Sequence, residues 1–146
     1  MISAPPPKRF GKTQYDASVA ATLITGKCED SIPVARQAQQ LTRQGAPANR
    51  ATLNRVFLRA GKMLLPMAHC ILQQVASSDL VLADETPIRQ QNQTSKGYFW
   101  VFSNEMLSAY VYSPNRSGEA PMKVLGDSHG DLVVNGTGMP AIGARG

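Results

Sequence analysis

Asp84 closes the apolar run Leu80-Val81-Leu82-Ala83 and is followed by Glu85-Thr86-Pro87. Such a run, ending in a carboxylate and stopping at a proline, predicts a buried strand over 80–84 with an acid at its C-terminal edge. The strand fixes the carboxylate and the loop beyond leaves it open to substrate, which suits a ligand for a divalent metal ion. An acid that only caps a turn fits the same pattern. A second set of residues points to anions. Arg36, Arg43, Arg50, Arg55, Arg59 and Lys62 lie in a stretch with no Asp or Glu from Ser31 to Ser78, which makes a sizeable basic surface. His69 beside Cys70 is weaker, because neighbours on a helix point about 100° apart and no second Cys/His cluster accompanies them. Cys28 and Cys70 are isolated, with no C-x-x-C pair, and read as reduced thiols rather than a disulfide or zinc site.

Composition limits the classes. The chain has 146 residues, 42% of them hydrophobic, enough for a core, and only 17% charged, so it is not a highly charged disordered tail. A net charge of +5 favours a polyanionic partner, nucleic acid first, although many soluble proteins are mildly basic without one. No run of 18 apolar residues exists, so no transmembrane helix is expected. Residues 1–12 lack the apolar stretch of a secretion signal, and a cytoplasmic protein is expected.

The elements that must position these residues change character along the chain. Residues 1–14, with Pro5-Pro6-Pro7, read as an extended, flexible lead-in. Residues 15–78 read as helical. Asp16 or Ser18 caps a first helix carrying Val19, Leu23 and Ile24, with Gly26 as its stop. A second helix follows Pro33 through Val34 to about Arg43. Asn49 caps a third, with Leu53, Val56, Phe57 and Leu58 on one side; a bend is expected around Gly61 and Pro66, and more helix through Val75. From residue 79 strands are expected at 80–84, 98–102 and 109–112, a short helix over 119–125, and a fourth strand over 131–135, in the order βββαβ. Trp100 and Phe102 share one strand face and read as core. Glu85 would point away from Asp84, and Arg116 suits either a phosphate contact or a solvated surface.

Several stretches together carry a resemblance. Tyr15-Asp16-Ala17-Ser18-Val19-Ala20, Ile32-Pro33-Val34-Ala35-Arg36-Gln37, Ala83-Asp84-Glu85-Thr86-Pro87, Gly97-Tyr98-Phe99-Trp100-Val101, Tyr112-Ser113-Pro114-Asn115-Arg116-Ser117-Gly118-Glu119 and Gly130-Asp131-Leu132-Val133-Val134-Asn135-Gly136 resemble the central region of transposases of insertion-sequence family sixty-six. The resemblance implies an α+β chain, with a helical region over 15–78 before an incomplete ribonuclease-H-like βββαβ core over 79–136, and an irregular tail over 137–146. It also places strand four beside strand one. Asp84 becomes the first acid of a DDE triad and a metal ligand. The second acid falls at position 135, where this sequence has Asn135 in place of the family's Asp, and the third, a Glu, is expected beyond residue 146.

That family joins DNA by phosphoryl transfer with two Mg²⁺ or Mn²⁺ ions, so transposon-end DNA is the implied partner and full-length transposase a second one. Asn135 keeps a carbonyl oxygen but loses a unit charge, which at about 4 Å and an effective dielectric near 20 forfeits roughly 4 kcal/mol per facing charge. The sequence therefore predicts a chain that is catalytically dead alone. Two alternatives stand beside that reading: a non-catalytic DNA-binding or transposase-interacting module, with Arg36, Arg43, Arg50, Arg55, Arg59 and Arg116 on DNA, and an enzyme completed by a separately encoded piece, which Asn135 weighs against.

Overall fold

A computed structural model describes residues 9–91, 94–117, 119–126, 128 and 130–134. They form helices followed by a four-stranded mixed sheet, an α+β arrangement: α1 (Ala17–Cys28), α2 (Val34–Arg43), α3 (Arg50–Ala76), β1 (Leu80–Arg89), β2 (Lys96–Ser103), β3 (Ser108–Ser113), α4 (Glu119–Leu125) and β4 (Asp131–Val134). Two compact units are present, residues 1–65 and 66–146, with α3 contributing to both.

In the first unit local chemistry starts each helix. The Asp16 carboxylate accepts from the backbone N–H groups of Ser18 and Val19 at 3.0 and 3.2 Å, capping α1. Asn49 does the same for α3 through Ala51 and Thr52. Pro33, before α2, offers a preset φ instead of a side-chain cap. Gly26 does not stop α1; it is buried inside it, leaving room for the Gln37 amide. That amide donates to the carbonyls of Leu23 and Ile32 and so ties α2 to α1. The buried stripe of α3 here is Leu53, Val56 and Ala60. Leu58, expected on that side, is 62% exposed, because two residues beyond Val56 is about 200° around the helix.

Of the lead-in, residues 1–8 lie outside the described residues, and the described part from Arg9 folds back onto the start of α1. Arg9 bridges to Asp16, Phe10 N–H donates to the Tyr15 carbonyl at 2.6 Å, and the Phe10 and Tyr15 side chains pack against the helical core. Burial of two aromatic rings outweighs the local preference for extended chain.

In the second unit the sheet order is β3-β2-β1-β4, antiparallel except for the parallel β1–β4 pair. Strand four thus lies beside strand one, as expected. Trp100 and Phe102, 2% and 0% exposed, fill the core face with Val81, Ala83 and Ala109, against Val75 of α3 and Leu125 of α4. The opposite face, carrying Leu80, Leu82, Phe99, Tyr110, Tyr112 and Val133, is exposed.

α3 runs through Gly61 and Pro66 as one continuous helix. The strand expected to stop before Pro87 does not: β1 runs to Arg89, and Pro87 pairs with Tyr98. The β1–β4 register ends at Ala83↔Val134, so from Asp84 onward β1 has a described neighbour on one side only. At the other end, Asp131 N–H donates to the Asp79 carbonyl at 2.7 Å, and a side chain at Gly130 would lie 2.1 Å from the Ser78 carbonyl oxygen. Only glycine permits that approach.

Candidate functional site

Strand alternation decides what surrounds Asp84. Leu80, Leu82 and Asp84 share the open face of β1, while Val81, Ala83 and Glu85 face the core side. Asp84 therefore stands exposed just past the last described β1–β4 pair, at the carboxyl end of the described parallel pairing. Its Oδ1 accepts from the Glu85 N–H at 2.8 Å. Around it an open pocket of about 260 Å³ is lined by Leu82, Val101, Ser103 and Val133. Asp84 is the one ionisable residue among those lining it.

Glu85 does not join it. It is half-buried on the other side and forms an ion pair with Arg116, a residue 31 positions away. That pairing gives Arg116 a carboxylate partner. Asp131 shares the open face but begins β4 opposite Leu80, four residues or about 13 Å from the level of Asp84. Asn135 and Asp127 lie outside the described residues.

Among the described residues Asp84 is the one carboxylate at the expected position, and by itself it does not supply the donors for the Mg²⁺ or Mn²⁺ pair that the resemblance implies. Two hard divalent ions held beside a phosphate need several carboxylate oxygens. Among the described residues no three His, Cys, Asp or Glu side chains gather anywhere. His69 and Cys70 are exposed on α3.

The basic residues of the first unit fall into separate groups. Arg43 of α2 and Arg50 of α3 line one concavity of about 630 Å³, together with Ala35, Ala38, Gln39 and Thr42. Arg55 and Arg59 line another, of about 730 Å³, with Thr52, Leu58, Lys62 and Lys12. Arg36 is exposed on α2 and lines neither. Positions 52, 55, 59 and 62 recur at helical spacing, a signal already present in the sequence. Lys12 reaches the same cleft only because Phe10 to Asp16 folds back, which no periodicity announces.

Within the second cleft Arg55 donates to the Thr52 hydroxyl at 3.1 Å. The Arg59 guanidinium lies 5.9 Å from the centre of the Phe10 ring, a cation–π contact. Lys12, Arg55, Arg59 and Lys62 form no salt bridge among the described residues.

Among the described residues no helix is long and apolar enough to cross a membrane. Comparison with known proteins adds the following. No solved structure matches the chain. It is 24% identical over 129 residues to an uncharacterised protein, y4qI, of Sinorhizobium fredii (strain NBRC 101917 / NGR234). That similarity takes in 80% of this chain but 24% of the relative, so the chain spans about a quarter of the length of the curated relative it matches. Residues 12–138 match the Transposase IS66 family. With both the helical region and the sheet inside that match, the chain belongs to the IS66 transposase family.

Proposed function

We propose that the 146-residue chain is a DNA-binding, non-catalytic piece of a DDE transposase. The observation that carries this reading is Asp84, exposed at the carboxyl end of the parallel β1–β4 pair in a chain of a transposase family. The strand order β3-β2-β1-β4 supports a ribonuclease-H-like core. In such a core Asp84 stands at the position of the first acid and Asn135 at that of the second. One carboxylate beside a neutral amide holds too little negative charge for two divalent ions, so no strand transfer is assigned to these residues. DNA is bound by the basic first unit, through Arg36, Arg43, Arg50, Arg55 and Arg59. Arg116, paired with Glu85, has the least claim on phosphate.

Nicking of supercoiled plasmid in Mn²⁺ tests the catalytic half of the proposal. The chain is expected to leave the plasmid intact, and Asn135→Asp is expected to restore no cleavage. Mn²⁺-dependent nicking by either protein would overturn it.

A second reading, interaction with a longer transposase chain, is favoured by the open apolar sheet face around Leu82, Tyr110 and Val133. Co-purification with a full-length IS66-family transposase, abolished by Leu82→Lys, would favour it; unchanged co-purification by that variant would remove the sheet face from consideration.

A further inference from the structure

The cleft holding Lys12, Arg55, Arg59 and Lys62 combines four cations with an aromatic ring that is already occupied. Like charges on one concave surface repel one another, and none of the four has a carboxylate partner among the described residues. Arg59 is also positioned rather than loose. Its guanidinium sits over Phe10 and against Gly11, whose φ is +62° and where an added Cβ would lie 2.2 Å from Arg59 Cζ. The fold thus presses a guanidinium onto backbone that only glycine leaves open.

We infer that this cleft is a phosphate-backbone anchor for duplex DNA, built by the segment Phe10 to Asp16 bringing Lys12 to the basic face of α3. The inference rests on the DNA-binding reading above and narrows it to one site, adding Lys12 and Lys62. Guanidinium and ammonium donors suit phosphodiester oxygens. Phe10 packs against the helical core with Arg59 over its ring, and the four cations of the cleft suit phosphate contacts, which position a duplex without reading its sequence. Thr52 has its hydroxyl engaged by Arg55 and holds that side chain in the cleft. An acidic polypeptide is the competing occupant.

Fluorescence anisotropy with a labelled duplex, across a range of salt concentration, tests the anchor on the whole 146-residue chain. Lys12→Gln with Lys62→Gln should lower the slope of log K against log salt by about 2, at about 0.9 per phosphate contact, and weaken binding about tenfold. Arg89→Gln with Lys96→Gln, which removes the same charge from the sheet unit, should leave the slope near its starting value. Gly11→Ala keeps every charge but displaces the Arg59 guanidinium, so it should weaken duplex binding at unchanged net charge and unchanged circular dichroism. Equal losses for the two charge pairs would overturn the anchor while leaving DNA binding intact. No duplex binding by the unaltered chain would remove both the anchor and the DNA-binding reading. Displacement of the duplex by polyglutamate at matched charge would assign the cleft to an acidic polypeptide and overturn it too.

Discussion

Asp84 and Asp16 are both exposed or half-exposed acids, but their surroundings give them different work. Asp84 meets one backbone N–H and an apolar pocket. Asp16 meets two backbone N–H groups and the Ser18 hydroxyl at 2.7 Å. The Ser18 hydroxyl, followed by the Val19 N–H, holds the Asp16 carboxyl below its ordinary value of 3.8. With the folded value depressed, the contribution of this cap is fully present above the unfolded value and disappears as pH falls through the folded one. Asp16→Ala is therefore expected to lower the unfolding midpoint at pH 7 and to make little difference once the pH lies below the folded value. Urea titrations of both proteins at several pH values check this; an equal loss at every pH would mean the carboxylate charge has no part in the cap.

At the scale of elements, β1 is where sequence pattern and structure part, while α3 continues through Gly61 and Pro66. Gly61 sits inside α3 with open space around it, so a methyl group there meets nothing. Gly61→Ala is expected to stabilise the chain by about 0.5–1 kcal/mol, through helix propensity alone. An unchanged or lower urea midpoint would mean the helix is not continuous there. What was legible in the sequence was what local chemistry determines: the caps at Asp16 and Asn49, α2 over Val34–Arg43, the helix over Glu119–Leu125, and the core pair Trp100 and Phe102. Asn104 is another such case, its side chain accepting from the N–H groups of Met106 and Leu107 to make the β2–β3 turn. What was not legible depends on distant partners. Pro87 stays in β1 because β1 continues its antiparallel pairing with β2 as far as Arg89↔Lys96. Phe10 joins the core because three helices leave it a place, and Glu85 finds Arg116 across 31 residues. For the candidate site, the exposed strand position of Asp84 was readable from alternation, and the face shared by Arg55, Arg59 and Lys62 from helical spacing. Lys12 was not.

For the whole molecule, the two units carry different chemistry: cations without carboxylate partners lining a cleft on the helices, and Asp84 beside an open apolar face on the sheet. On the reading proposed above, this member of the IS66 transposase family keeps one acid of the expected set at Asp84 and carries Asn135 at the position of another. Binding without cutting is the behaviour we propose for it. Urea unfolding followed through Trp100 reads the sheet that carries Asp84, because this ring, the chain's one tryptophan, packs on β2 against β1. Comparing the transition with and without millimolar Mn²⁺ tests whether Asp84 still holds a metal ion. The account predicts a single cooperative transition whose midpoint Mn²⁺ leaves unmoved. An ion at about 100 times the Kd of a native-state site would add about 2.7 kcal/mol, so an upward shift that Asp84→Asn abolishes would contradict it.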